Sequence, residues 1–122
     1  MALSGLCQWF QVVFFSSVIG RQAEIGKNFR IAHPIGIVIG QARIGNDVTI
    51  WQNVAIGATG TDEGVKQYPA IGNHVKLYAG AIVIGGITVG SGATVGALSL
   101  VKNDVPAQAL AVGIPARNIL KR

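Results

Sequence analysis

Aliphatic residues recur every six positions along most of the chain. Twelve hexads begin with Ile, Leu or Val, and a second apolar or small residue, such as Phe29, Ile35 or Val48, follows four positions later. A period of six fits neither the 3.6-residue repeat of a helix nor the two-residue alternation of a simple strand. It predicts a coil of short parallel strands in which three hexads make one triangular turn, with turns ~4.8 Å apart. The hexads begin at Ile19, Ile25, Ile31, Ile44, Ile50, Ile56, Ile71, Leu77, Val83, Val89, Val95 and Val101.

The composition agrees with a single all-β domain. The 122 residues include 29 Ile and Val against 7 Leu, an excess of β-branched side chains that favours strands over a helix bundle. Hydrophobic residues make up 50% of the chain and charged residues 12%, which excludes intrinsic disorder. A short chain this apolar is expected to bury part of its surface in an oligomer.

The beginning of the chain does not follow the period. Residues 1–16 are apolar at helical spacing, which predicts a short amphipathic helix, far below the ~20 residues that span a bilayer. We expect this helix to pack on the coil. The alternative is a shallow, peripheral contact with the inner membrane through Trp9, Phe10, Phe14 and Phe15.

The remaining residues, 17–122, are predicted to form the coil domain. Within it, residues 57–70 are polar, Gly-rich and aperiodic, so they should form a loop that leaves the coil. The period ends after Val105, and residues 107–122 are expected to be a C-terminal tail.

Charge and cysteine content narrow the classes of partner. The single Cys7 cannot form an internal disulfide, which favours a reducing, cytoplasmic location. The net charge of +5 suits an anionic small ligand, and the basic residues are too scattered for a nucleic-acid groove. Two histidines cannot build a three-imidazole metal site within one chain, so no metal is expected.

Few residues could act as a general base. His33 lies two positions after a leading isoleucine, as do Gln52 and Asn73, so the count of hexads predicts one polar column of these three residues. A neutral imidazole there could accept a proton from a substrate hydroxyl. The alternative is that His33 is a solvent-facing corner residue, and His74 is expected to be exposed and inert.

Several motifs carry a resemblance to a known family. The stretches 33–40, 44–52 and 56–60, with the closing Ala-Val-Gly-Ile-Pro-Ala-Arg of residues 111–117, resemble the serine acetyltransferase branch of the hexapeptide-repeat acyltransferases. The resemblance implies a left-handed β-helix and a homotrimer with sites between subunits. It also implies direct transfer of acetyl from acetyl-CoA to a hydroxyl, with His33 as general base.

The resemblance also suggests binding residues. We assign Gln52, Asn53 and Tyr68 to the acceptor. The predicted cofactor-binding residues include Ala79, Gly80 and Ala97, which would border the pantetheine arm. Lys102 and Arg117 would bind the CoA phosphates, and Asn73 is the sixth predicted cofactor-binding residue.

Departures from the family bear on the acceptor. Val18 and Ala32 stand where the serine enzymes carry aspartates, and Gln67-Tyr68 stands in place of their Arg-His. A neutral sugar would not need these charges, so the predicted acceptor is a hydroxyl of a sugar or polysaccharide precursor, as in short exopolysaccharide and colanic-acid-type O-acetyltransferases. Two alternatives remain: a serine O-acetyltransferase of cysteine biosynthesis, and a non-catalytic trimeric scaffold.

Overall fold

The computed structural model describes residues 2–60 and 66–120, which form one helix followed by a three-sided coil of parallel strands. The helix α1 spans Ala2–Phe15. The strands are β1 (Val18–Ile19), β2 (Glu24–Ile25), β3 (Arg30–Ile31), β4 (Val38–Ile39), β5 (Arg43–Ile44), β6 (Thr49–Ile50), β7 (Ala55–Gly57), β8 (Thr59–Gly60), β9 (Lys66–Gln67), β10 (Ala70–Ile71), β11 (Lys76–Leu77), β12 (Ile82–Ile84), β13 (Thr88–Val89), β14 (Thr94–Val95), β15 (Leu100–Val101), β16 (Ala109–Gly113) and β17 (Ala116–Leu120).

Successive strands belong to three different sheets, so each turn of the chain adds one strand to each side of a triangular prism. The first sheet has the order β1-β4-β7-β12-β15, the second β13-β10-β5-β2, and the third β17-β16-β14-β11-β6-β3. Neighbouring coil strands pair in parallel and in register, as Ile31 does with Ile50 and Leu77 with Val95. This arrangement confirms the predicted coil.

The core is a stack of aliphatic side chains inside the prism. Hexad leaders such as Ile50, Leu77 and Val95 are fully buried. Stiff β-branched side chains suit this interior, because each one packs on its equivalent in the next turn. The hexad pattern fails at one position: Ile35 is 59% exposed and Ile37 is buried in its place.

The cause of that error lies between the first two turns of the coil. Ile31 and the next inward residue, Ile37, are six positions apart, whereas the equivalent Ile50 and Val54 are four apart. Two extra residues therefore enlarge this corner, and they move Ile35 out of the core.

The aperiodic segment forms an antiparallel hairpin. Strands β8 and β9 pair through Thr59–Gln67 and Gly60–Lys66, and residues 61–65 between them lie outside the described part of the chain. The hairpin rests on the next turn, because a Cβ added at Gly86 would meet Cβ of Gln67 at 2.9 Å. It leaves the coil between the first and the second sheet.

The segment expected as a tail continues the third sheet. Strand β16 pairs in parallel with β14, then turns back and pairs antiparallel with β17. Ala109 and Ala111 are fully buried. The small side chains at these two positions break the Ile/Val pattern, which is why the period ends in the sequence while the coil continues.

Helix α1 packs against the start of the coil, and its described contacts include those of Gln8 and Gly5. Gln8 Nε2 donates to Ile19 O at 3.5 Å, and a Cβ at Gly5 would meet the Arg21 guanidinium at 3.6 Å. The apolar side chains of Leu6, Phe10 and Val13 are about half exposed. Within residues 2–60 and 66–120, no helix has the length and hydropathy needed to cross a bilayer.

The three outer faces of the prism differ in character. The outward residues of the third sheet include Arg30, Thr49 and Lys76. On the first sheet the aligned outward residues are apolar, namely Val18, Val38, Ala55, Ile82 and Leu100. Contiguous exposed apolar surface of this kind is typical of an interaction site.

Candidate functional site

Most of the predicted site residues lie along one edge of the prism, where the chain passes from the third sheet to the first. We call this the His33 edge; it comprises residues 32–36, 51–53, 78–80 and 96–98. Backbone hydrogen bonds join its levels, from Asn53 N to Ile35 O (2.9 Å), from Gly80 N to Gln52 O (3.0 Å) and from Leu98 N to Ala79 O (2.9 Å). At ~4.8 Å per turn, the edge extends about 14 Å from its first level to its last.

His33 occupies the enlarged corner at one end of this edge. Ile35 N donates to His33 O at 2.9 Å, and this tight turn, together with Pro34, holds the corner away from the regular coil. The His33 side chain is exposed. An imidazole on a fixed, accessible corner is suited to accept a proton from a bound hydroxyl.

Carboxylates are absent from the described part of this edge. Three of the five Asp and Glu residues lie in the segments 2–60 and 66–120. Each of these three has a partner elsewhere: Glu24 pairs with Arg43 at 3.4 Å, Asp47 with His74 at 3.8 Å, and Asp104 accepts from Thr88 N at 2.8 Å. His33 therefore has no described aspartate or glutamate to orient it or to meet a cationic substrate.

Gln52 and Asn53 form the next level of the His33 edge. The side-chain oxygen Oε1 of Gln52 is buried and has no hydrogen-bond partner among the described residues. A buried amide oxygen without a partner is costly, and it is available to a ligand hydroxyl or ammonium group. Asn53 adopts a left-handed conformation (φ 61°) and its side chain contacts Gly36 one turn earlier.

Small residues form the lower part of the edge. Ala79 and Ala97 carry only a methyl group, and Gly80 lies between two turns with φ 73°. A Cβ added at Gly80 would meet the end of the Leu98 side chain at 2.6 Å, and the left-handed φ disfavours any side chain at position 80. Ala79, Gly80 and Ala97 therefore leave room on this part of the edge for an extended chain such as pantetheine, beside the exposed side chain of Leu98.

Sequence reasoning missed an aromatic pair on the same edge. The rings of Trp51 and Tyr78 are stacked, with centroids 4.3 Å apart and an interplanar angle of 19°. Each ring follows a hexad leader of the third sheet, and those leaders, Ile50 and Leu77, are paired in register. Aligning the hexads as turns of three would have placed the two rings together.

One predicted member of the polar column is wrong. Asn73 lies between the second and the third sheet, on a different edge from His33 and Gln52. The count of hexads misplaced Asn73 because it was continued through residues 57–70. The hairpin in this segment lies outside the coil and adds no side to a turn. Its Oδ1 accepts from Asn46 N at 2.8 Å, and its own N–H donates to Ser91 Oγ at 3.0 Å.

The other predicted residues are divided between edges. Tyr68, half-buried, and Lys102, exposed, lie between the first and the second sheet, on what we call the hairpin edge. Arg117 lies on β17 and pairs with Val112 of β16. Val112 contacts Gly96, which belongs to the last level of the His33 edge. One protomer thus brings together His33, the two acceptor residues of the next level and the small residues below them. In one protomer, Tyr68 and Lys102 lie on the hairpin edge, away from His33.

Metal-ligand clusters are not found in the described segments: no three His, Cys, Asp or Glu side chains converge within residues 2–60 and 66–120. Cys7 is a free, exposed thiol on α1. The described residues of the His33 edge include an imidazole, amide side chains and backbone groups.

The three-sheet coil with its six-residue period defines the chain as a hexapeptide-repeat parallel β-helix protein. No protein-family model matches it. The chain is 44% identical over 110 residues to the serine acetyltransferase of Bacillus licheniformis, a match that covers 88% of this chain and 50% of that protein.

Solved structures agree with the sequence match. Soybean serine acetyltransferase complexed with serine superimposes with a TM-score of 0.87 at 40% identity, covering 97% of this chain and 49% of the soybean chain. A serine acetyltransferase in complex with CoA gives a TM-score of 0.85 at 39% identity, over 97% and 48% of the two chains. This likeness confirms the left-handed β-helix and the resemblance to the serine acetyltransferase branch of the hexapeptide-repeat acyltransferases.

These matches cover only part of each relative. The chain spans about half the length of the curated relatives it matches. The named relatives are serine acetyltransferases, and they give no support to a closer likeness to exopolysaccharide-type enzymes.

Proposed function

We propose that the protein is an acetyl-CoA-dependent O-acetyltransferase that uses His33 as its general base. The observation that carries the proposal is the His33 edge, where an accessible imidazole stands above a path lined by small residues, within a fold that matches a CoA-bound serine acetyltransferase over 97% of this chain. A protein that served only as a scaffold would not need an accessible imidazole next to small residues on one edge.

The reaction is a direct transfer. His33 takes the proton of the acceptor hydroxyl while its oxygen forms a bond to the carbonyl carbon of the thioester. The carbon–sulfur bond then breaks, and the protonated imidazole returns its proton to the departing CoA sulfur. General-base assistance of this kind is worth ~10²–10⁴-fold in rate. A backbone N–H of residues 57–64 is our expectation for the oxyanion donor, although 61–65 lie outside the described residues.

The co-substrate would extend along the His33 edge. Its thioester lies at the level of His33, its pantetheine arm beside Ala79, Gly80 and Ala97, and its phosphates beyond the last level. Arg117 is an exposed cation at that end of the edge among the described residues of one protomer. Binding of a phosphate by Lys102 and of the cofactor by Asn73 remain predictions. In a single protomer both residues lie on other edges than His33.

A homotrimer with sites between subunits would explain the divided residues. The apolar outward face of the first sheet lies between the His33 edge and the hairpin edge. If three copies pack these faces around a common axis, the His33 edge of each copy lies beside the hairpin edge of its neighbour. Tyr68 and Lys102 of one subunit would then complete the site around His33 of another.

The assembly has its own test. Val38→Asp combined with Ile82→Asp should dissociate the trimer in sedimentation velocity, because both residues point outward from the apolar face. Thr49→Asp on the third sheet is the control and should leave the trimer intact. A wild-type chain that sediments as a monomer at micromolar concentration would rule out the shared site.

Serine is the acceptor that the comparisons favour, since the relatives are serine acetyltransferases and two of the similar solved structures hold serine. The second candidate, a sugar hydroxyl, is favoured by the His33 edge, where Ala32 and its described neighbours offer no carboxylate to an α-ammonium group. An unpaired ammonium is costly to bury. The link to polysaccharide synthesis itself has no support from the relatives.

Two further expectations belong to the proposal. The half-exposed apolar residues of α1, including Trp9 and Phe10, are suited to a peripheral contact with the inner membrane. The side chains of Phe14 and Phe15, expected at the same contact, lie outside those that the structure describes. The reducing environment suggested by the single Cys7 corresponds to the cytoplasm.

The deciding experiment measures thiol release from acetyl-CoA with L-serine and with a panel of glycosides. Acceptor-dependent release by the wild-type protein, lost in His33→Ala, supports the proposal. No release above background with any acceptor, together with no CoA binding by calorimetry, would favour the non-catalytic scaffold.

A further inference from the structure

We infer that the stacked pair Trp51–Tyr78 is a binding subsite for the pyranose ring of an acceptor. This inference rests on the proposed acetyltransferase function and names the substrate class at the same site. It is drawn from the position of the two rings, the small residues around them and the unpartnered amide next to them.

The position of the pair places it beside the catalytic base. Ala32 N donates to Ile50 O at 2.9 Å, so Ala32 is the residue of the first turn that lies over Trp51. His33 follows it directly in the chain. Tyr78 N donates to Val95 O at 3.0 Å, which places Gly96 next to Tyr78 on the far side.

Small neighbours leave the outer face of Trp51 accessible. Tyr78 covers one face of the indole, and at the matching position of the first turn Ala32 presents only a methyl group. The ring is half-buried, so it is held in place while part of it remains in contact with solvent. A fixed aromatic face with room above it is the surface on which the C–H face of a sugar ring packs.

The neighbouring polar groups fit a neutral ligand. Gln52 follows Trp51 in the chain, and its buried Oε1 lacks a partner among the described residues. This oxygen can accept a hydrogen bond from a sugar hydroxyl. The described carboxylates Glu24, Asp47 and Asp104 are all paired on other parts of the coil.

The adenine ring of the co-substrate is a poorer occupant. If the thioester lies at His33 and the phosphates lie towards Arg117, the adenine is at the opposite end of an edge about 14 Å long. Trp51 is one level from His33, at the acceptor end.

The aromatic pair also contributes to packing, so the experiment must separate recognition from stability. A Trp9→Phe background leaves Trp51 as the single tryptophan, and its fluorescence is titrated with methyl pyranosides and short oligosaccharides without acetyl-CoA. We expect a saturable change with at least one pyranoside and none with L-serine. In the same background Tyr78→Phe, which retains the ring, should preserve binding, and Tyr78→Leu should weaken it.

Kinetics supply the second measurement. Trp51→Leu should lower kcat/KM for the bound pyranoside roughly tenfold, while KM for acetyl-CoA and kcat/KM for L-serine change less than about twofold. His74→Asn is the control and should change none of these values.

The outcomes distinguish the subsite from the activity. If no pyranoside changes the fluorescence of Trp51, the subsite is wrong, even where acetyl transfer to serine is observed. If Trp51→Leu lowers kcat/KM for serine and for pyranosides equally, the pair is only structural and the inference is overturned. If pyranosides bind but no acceptor is acetylated, the subsite stands and the proposed function fails.

Discussion

Two edges of the same prism use equivalent positions of the repeat in different ways. On the edge between the second and third sheets, which we call the asparagine edge, side-chain oxygens accept hydrogen bonds from backbone N–H groups of the preceding turn. Asn46 Oδ1 accepts from Lys27 N, and Asn73 Oδ1 from Asn46 N, both at 2.8 Å, and Ser91 Oγ continues the ladder. On the His33 edge the corresponding residues are small, aromatic or unpaired.

The difference shows which positions are committed to the fold. Asn46, Asn73 and Ser91 each accept from a backbone N–H that would otherwise need water, so these side chains stabilise the coil and their accepting oxygens are not available to a ligand. The His33 edge leaves an imidazole exposed, and the Gln52 amide oxygen has no hydrogen-bond partner within residues 2–60 and 66–120. Replacing residues on the two edges should therefore give opposite results in activity and in stability.

The largest expected effect is the loss of catalysis in His33→Ala. We expect kcat to fall about 10²-fold or more, while sedimentation and CoA binding stay unchanged, because the variant removes only the proton acceptor. His74→Asn on the asparagine edge is the matched control, since Asn tolerates the left-handed conformation of His74 (φ 57°). Wild-type turnover in both variants would show that the base is elsewhere.

A smaller effect is expected where the path of the co-substrate is narrowed. Ala79→Leu should raise KM for acetyl-CoA roughly tenfold, equivalent to ~1.4 kcal/mol, because its side chain would occupy the space left by Ala79 and Gly80. The control is Ala107→Leu, at an exposed position of the asparagine edge. Equal KM values for the two variants would place the pantetheine arm away from the His33 edge.

The asparagine ladder should respond in stability and not in turnover. Asn73→Ala leaves the N–H of Asn46 without its acceptor and should cost about 1 kcal/mol in the free energy of unfolding. Asn73→Ser should recover part of this loss, as the hydroxyl of Ser91 already performs the same task one turn later. Urea denaturation measures the loss. An increase in KM for acetyl-CoA without loss of stability would instead restore the cofactor role predicted from the sequence.

The smallest effect concerns backbone strain on the His33 edge. Leu98 adopts φ 60°, a conformation that is unfavourable for a bulky residue and that Gly36, Asn53 and Gly80 adopt at the equivalent corners. Leu98→Asn should therefore stabilise the protein by about 0.5–1 kcal/mol. Gln108→Asn, at φ 63° on the other edge, gives the comparison. A stabilised Gln108→Asn beside a destabilised Leu98→Asn would show that the contact of Leu98 with Gly80 outweighs the strain.

The sequence predicted the coil well because the rule behind it is local. Each leading Ile, Val or Leu needs the same neighbour one turn away, so the repeat specifies strands, sheets and core together. The failures occur where residues are inserted. Two extra residues near His33 put Ile35 outside the core, and the hairpin moved Asn73 to another edge.

The candidate site was predicted less completely than the fold. His33, Gln52 and the small residues below them could be found from motifs and spacing, and the structure places them on one edge. Trp51 and Tyr78 carry no motif, and their stacking becomes visible only once the turns are aligned. The helical spacing of residues 1–16 predicts a helix that packs on the coil. It does not reveal which side of the helix contacts the coil.

The hairpin between β7 and β10 leaves the hydrogen bonding of the coil undisturbed. Strand β7 pairs with β4 and β12, and β10 pairs with β5 and β13, so both sides of the insertion stay in register. The length and chemistry of this segment can consequently change without altering the spacing of the turns. In such an architecture, the coil that carries His33 and the hairpin segment can diversify independently of each other.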